Sequence, residues 1–232
     1  MTQARASHLR LVVSEQAPVA VRLPRLRFQP IVRLADGAAF GMHAEADIAF
    51  EDTFNPRHLN DASLPTSAAW LGDLIERAGR LAQDTGTTLR PISITAPLAA
   101  LSDRDAPMAA EAGARRANLL PQEFRIDFAD AAITGLEDLA LDRVDAFRRK
   151  GFRVGLDARK SWRMPMGARA RMSFEAVRLD VSRCEQLEIP MTRLEVAAAD
   201  GVALIAENVR WRDVEKLAEN GVHFAIAPRA DS

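Results

Sequence analysis

Four carboxylates close short apolar runs in this chain. Asp127 ends "FRID", Asp157 ends "RVGLD", Asp180 ends "VRLD" and Glu207 ends "VALIAE". Thr95 ends a fifth run, "ISIT". Acids at consecutive strand ends are what a divalent-metal centre needs, or what one leaves behind. The plainer alternative is that each is solvated or caps the helix that follows. A histidine joins them: "FQPIVRLADGAAFGMHAEA" (28–46) reads as a hairpin turning at Asp36-Gly37, and its return limb ends at His43. His43 is a ligand, a catalyst, or the remnant of a lost one.

These residues need elements to position them. After the hairpin, "SAAWLGDLIERAGRLAQDTG" carries Trp70, Leu71, Leu74, Ile75, Ala78 and Leu81 at helical spacing, with Gly86 as its stop. A strand over Ile92–Thr95 follows, then an alanine-rich helical stretch interrupted by Pro107. "EFRIDFAD" alternates Phe124, Ile126 and Phe128 with acids on the other parity. Helix "GLEDLALDRVDAFRRKG", strands "FRVGLDA" and "FEAVRLDVS", a helix broken at Pro190, strand "VALIAENV", helix "VRWRDVEKLAENG" and strand "VHFAIAP" complete the chain. Such strand–helix alternation implies parallel strands with right-handed crossovers. An open doubly wound sheet and a (β/α)₈-type barrel both fit, and the missing G-x-G-x-x-G weakens the first. In a barrel, strand C-terminal ends line the functional face.

Composition sets the outer bounds. The 232 residues are 48% hydrophobic and 27% charged, with formal net charge −1. No basic field invites nucleic acid, and no apolar run approaches the ~20 residues of a membrane span. Cys184 is the only cysteine, so a disulfide framework is absent. A cytoplasmic location is the expectation. Residues 1–24 read as an extension preceding one domain over 25–232.

The blocks in their order resemble EAL domains, the cyclic-di-GMP phosphodiesterases. "FQPIVRLADGAAFGMHAEA", "ISITAP", "FRIDFADA", "GFRVGLDARKSW", "FEAVRLDVS" and "ALIAENVRWRDVEKLAENGVHF" follow that family's blocks at the right spacing. The resemblance implies a modified TIM barrel, an α/β fold whose first strand is antiparallel. It also implies a centre of two Mg²⁺ or Mn²⁺ ions that activate a water. Carried position by position, it implies a degenerate site. His43 stands for the signature glutamate and Thr95 for the ligand asparagine. Asp127 is a shortened glutamate, and Asp130 stands for the second glutamate of its block. Asp157 remains, but its partner aspartate is Ala158, followed by Arg159. Arg178 replaces the lysine, while Asp180 and Glu207 persist. Asn208 replaces a glycine, Arg210 a glutamate, and the nucleotide-contacting arginine falls on Asp47. Glu45 takes the leucine position and is read as facing away from His43.

The expectation is a catalytically inactive regulatory module of bacterial signalling. His43, Thr95, Asp127, Asp157, Ala158, Arg178, Asp180 and Glu207 form its vestigial site, with no cofactor and no metal. Ala158-Arg159 and Arg178 look like internal counter-charges replacing the ions. A mononuclear centre of His43, Asp127, Asp157 and Glu207 holding Zn²⁺ or Mn²⁺ is an alternative. So are a non-hydrolysing cyclic-di-GMP receptor and a divergent metal-dependent phosphodiesterase. Cyclic-di-GMP is not expected as a ligand, because the motif arginine, the Gly-rich loop and the C-terminal block have all departed. A protein partner is expected and a homodimer left open. Trp162, Met164, Met166, Arg169 and Met172 in "SWRMPMGARARMSF", with Trp211, are the candidate contact residues.

Overall fold

The structure is a computed structural model that describes residues 25–46, 68–164, 172–182 and 191–227. Eight strands close into a barrel in sequence order. They are β1 (Leu26–Arg33), β2 (Ala39–Ala46), β3 (Ile92–Thr95), β4 (Phe124–Ala129), β5 (Arg153–Asp157), β6 (Ala176–Asp180), β7 (Ala203–Glu207) and β8 (Val222–Ile226). Strand β1 is antiparallel to both β2 and β8, and the other neighbours are parallel. The expected mixed barrel is therefore the one formed. Pairing of β1 with β8 removes the sheet edges that an open doubly wound sheet would keep. Residues 1–24, residues 47–67 with Asp47, Cys184 and Pro190, where a helix break was expected, lie outside the described residues.

The helices are α1 (Ala68–Asp84), α2 (Ala99–Ser102), α3 (Ala106–Arg116), α4 (Asp130–Arg149), α5 (Met191–Ala199) and α6 (Val214–Glu219). Helix α1 buries Trp70, Leu71, Leu74, Ile75 and Ala78 as its periodicity predicts, with Ala82 rather than Leu81 completing the stripe. Pro107 does not break a helix. It sits in the first turn of α3, where no N–H is needed, and the chain breaks just before it. Helix α3 crosses α1 closely: a Cβ on Gly113 would run into the backbone carbonyl of Gly72.

The apolar core is divided by the barrel wall. Phe124, Ile126 and Phe128 of β4 belong to the outer layer, packed with Leu74 of α1 and Phe147 of α4. A separate cluster of Ile31, Ala176, Ile205 and Ile226 lies on strands β1, β6, β7 and β8. Ala176 and Ile205 share a strand face with Arg178 and Glu207, two residues further along. That face is the barrel interior. The second parity of β4 therefore faces this interior and not solvent. Arg125 and Asp127 point into a closed barrel and are almost wholly buried.

Candidate functional site at the barrel mouth

Strands β4 to β7 and the turn after β5 bring six charged side chains together. Arg178 on β6 reaches across the interior. Its Nη2 lies 2.7 Å from Glu207 Oε1, its Nη1 3.4 Å from Asp127 Oδ2, and its Nη1 donates to Thr95 Oγ1 at 3.0 Å. Arg159, in the turn after β5, forks onto Asp157, with Nε to Oδ1 at 2.9 Å and Nη2 to Oδ2 at 2.8 Å. Its Nη1 also reaches Glu207 Oε2 at 3.3 Å. Arg125 lies one layer below, Nε to Asp127 Oδ1 at 2.8 Å, and donates to Ser93 Oγ at 3.0 Å. Ser93 in turn donates to Asp127 Oδ2. Three guanidiniums thus meet three carboxylates, and the cluster carries no net formal charge.

Such pairing decides the ionisation state. Burial pushes the Asp127 carboxyl up, but the Arg125 and Arg178 guanidiniums, with hydrogen bonds from Arg125 and Ser93, bring it below 3.8. Asp157 behaves alike: burial raises it, and Arg178 and Arg159 outweigh that. His43 goes the other way for a base. Burial first, then the charges of Arg178, Arg159 and Arg125, hold it well below 6.5 against the pull of Asp157. The imidazole is therefore neutral at physiological pH, and its Nδ1 has no hydrogen-bond partner among the described residues.

His43, Thr95, Asp127, Asp157, Arg178 and Glu207 are thus brought together at one end of the barrel. Ala158 is fully buried, and its backbone N–H donates to the Arg178 carbonyl. Asp180 sits at the rim and accepts from the Ser182 amide and from Asn208 Nδ2, both at 3.0 Å. Asn208 keeps a left-handed backbone, φ 58°, at the position where the resemblance has glycine.

The structure corrects two readings. Glu45 does not face away from His43: on β2 they pair with Arg27 and Gln29, and residues two apart share a strand face. Trp162 and Met164 are not exposed contact residues but members of the core. The cause is Asp130 at the start of α4, whose carboxylate accepts from Ser161 Oγ and from the backbone N–H groups of Arg163 and Met164, each at 2.8 Å. That grip draws the segment inward. Met172 is 70% exposed, whereas Met166, Arg169 and the Trp211 side chain lie outside what is described.

Sequence reasoning missed Arg125, Ser93 and Gly155. Each lies two residues before a residue it did single out, and the same-face rule could have found them. A Cβ on Gly155 would run into Asp127 Oδ1 and come within 3.2 Å of Arg125 Nε, so glycine makes room for the pair.

Two divalent ions do not fit this set. The oxygens that would hold them already face guanidiniums, and Ala158 supplies none. Among the described residues no group of three or more His, Cys, Asp or Glu side chains is arranged to hold an ion. The mononuclear alternative around His43 is therefore not assembled.

No family model and no curated protein matches the sequence. Solved structures do match. PaMucR phosphodiesterase in complex with c-di-GMP superposes with a TM-score of 0.71 at 15% identity, over 89% of this chain and 94% of that one. BlrP1 of Klebsiella pneumoniae, in a manganese and c-di-GMP complex, gives 0.69 at 13% identity over 90% of this chain and 56% of its own. The EAL enzyme Bd1971, in a cAMP and cyclic-di-GMP bound form, gives 0.66 at 15% identity over 88% of this chain. The chain spans 60% of the length of Bd1971. The fold is that of EAL domains, an eight-stranded barrel with its first strand reversed. The expectation that cyclic-di-GMP is no ligand is overturned, because solved proteins of this fold carry the dinucleotide. Among the described residues no helix is long and apolar enough to cross a membrane.

Proposed function

We propose that this chain is an EAL-type signalling domain that does not hydrolyse phosphodiesters and acts by binding a protein partner. One observation carries the loss of hydrolysis: Asp127, Asp157 and Glu207 are all engaged by Arg125, Arg159 and Arg178. Two-metal catalysis needs ions about 3.5–4 Å apart, bridged by free carboxylates. Guanidiniums cannot polarise a water as those ions do, and a permanently charged donor with no acceptor atom cannot serve as a general base. The neutral His43 has no charge to offer a phosphate.

A second reading has its own support: the dinucleotide is a ligand, bound without turnover, whose binding controls the partner. PaMucR and BlrP1 were solved with it on the same fold. One experiment addresses both. Cyclic-di-GMP is incubated with the protein in Mg²⁺ and in Mn²⁺, products are separated by chromatography, and binding is read by calorimetry. No linear product is expected. Metal-dependent turnover would replace the proposal with a divergent phosphodiesterase. A binding isotherm without turnover would establish the receptor reading. A pull-down from native extract, with and without the dinucleotide, then names the partner.

A further inference from the structure

We propose that the upper half of β1 is an acceptor edge for an extended segment of a protein partner, which adds to the barrel as a strand. The inference deepens the partner-binding reading and rests on it. Strand β1 runs over 8 residues, but β8 pairs only with Ile31, Val32 and Arg33. The Ala227 N–H adds one more bond, to the Pro30 carbonyl. Leu26, Arg27, Phe28 and Gln29 pair with β2 on their other side. Successive residues of a strand send their N–H and C=O to alternate sides. Pro30 faces β8, so Phe28 and Leu26 aim theirs the same way, beyond Ala227. Among the described residues no strand stands opposite them there. Closure of the barrel therefore leaves a short open edge at its mouth, and such an edge is a template for another strand.

The side chains define what the edge accepts. Leu26 and Phe28 are half-buried on the outer face, packed against the core. Arg27 shares the inner parity of Ile31, is exposed, and has no carboxylate partner among the described residues. Glu45, opposite it on β2, makes no ion pair with it. A fitting segment carries an acid opposite Arg27 and apolar residues on either side, opposite Phe28 and Leu26. The chain's own residues 228–231 answer this poorly. Continued in the register of β8, they would set Arg229 against Phe28, Ala230 against Arg27 and Asp231 against Leu26. Charge would meet the apolar side chains and alanine the cation, so a partner's segment is the better occupant.

The test uses the isotope-labelled full chain and the capped peptide acetyl-Thr-Val-Glu-Val-Thr-amide. Amide resonance shifts and hydrogen exchange are followed at Leu26 and Phe28. Binding should perturb and protect both amides. Replacing the peptide glutamate with lysine should weaken binding about tenfold, and in R27E the lysine peptide should bind the tighter. An N-methyl group on either valine, whose N–H faces β1, should weaken binding about tenfold. On the glutamate, whose N–H faces away from β1, it should leave binding nearly unchanged. The proposal is overturned if the peptide binds elsewhere or not at all, or if the two N-methyl positions act alike. It is equally overturned if Leu26 and Phe28 are protected in the free chain and the peptide binds only once residues 228–232 are removed, since the chain then covers its own edge. A partner captured equally well by the parent and R27E would overturn the edge and leave the partner-binding reading standing. Turnover of cyclic-di-GMP by the full chain would instead sink the non-hydrolysing reading, an outcome separate from these.

Discussion

Arg159 holds Asp157 by a two-pronged grip from only two residues away, Nε to Oδ1 and Nη2 to Oδ2, while the Arg159 N–H also donates to Oδ1 at 3.2 Å. A planar guanidinium matches a carboxylate in this geometry better than an ammonium would. The pair is anchored to β7 through Glu207, so it ties two strand ends together. The relationship supplies a barrel mouth rich in acids with a cation from its own chain. It also makes the arginines structural members rather than surface decoration.

The deepest pair, Arg125 with Asp127, should show this most clearly. Both side chains are 2% exposed. Removing one partner of a buried pair costs about 3–5 kcal/mol, because the other is stranded. Arg125→Met alone should therefore lower the urea midpoint strongly, and so should Asp127→Leu alone. The double variant should recover much of that loss. Equilibrium unfolding of the four proteins in a double-mutant cycle checks it. Additive losses would mean that the pair is not coupled.

The fold was legible in the sequence because it rests on patterns that survive substitution: period-two strands, period-3.6 helices and turn glycines. The hairpin start, the strand at Ile92–Thr95 and the face of α1 all follow from those patterns. The acids at strand ends were legible too, since a barrel gathers such ends on one face. What was not legible was partner choice. Arg125 carried no signal of its own in the sequence, and only closure of the barrel turns its strand face inward. Trp162 and Met164 looked like interface residues, and only the long-range grip of Asp130 buries them.

That grip gives a second prediction. Asp130→Ala leaves the Arg163 and Met164 N–H groups without their acceptor. The segment should loosen, and Trp162 should lose its buried environment. The expected readouts are a red-shifted tryptophan emission and faster tryptic cleavage at Arg163, with the barrel still folded by circular dichroism. Asp130→Asn keeps one acceptor oxygen and should fall between. Unchanged emission in Asp130→Ala would remove the latch role.

Glycines on two sides of the barrel should respond oppositely to alanine. At Gly155 a Cβ meets Asp127 and Arg125, so Gly155→Ala should destabilise by about 1–3 kcal/mol through overpacking. At Gly135 of α4 a Cβ meets nothing within 4 Å, so Gly135→Ala should stabilise by about 0.5–1 kcal/mol through helix propensity. Denaturant midpoints at constant m-value decide both signs.

The pH dependence divides into two windows. The folded carboxyl pKa values of Asp127 and Asp157 lie below 3.8. A depressed acid contributes stability above its unfolded value and loses it as pH falls through the folded one, so this contribution disappears only below about pH 4. His43 acts higher. Its folded pKa lies well below 6.5, so below pH 6.5 the unfolded chain takes up a proton that the folded barrel refuses. Stability should therefore fall from pH 6.5 downward, by up to about 1.4 kcal/mol per pH unit for this one group. The slope should end where the folded imidazole finally protonates. His43→Gln is neutral in both states and should flatten the curve between pH 6.5 and 5, leaving the acid limb below pH 4 intact. Parallel melting-temperature curves of parent and variant across pH 4–8 make the comparison. If the two curves share one slope above pH 5, His43 is not the group that refuses the proton.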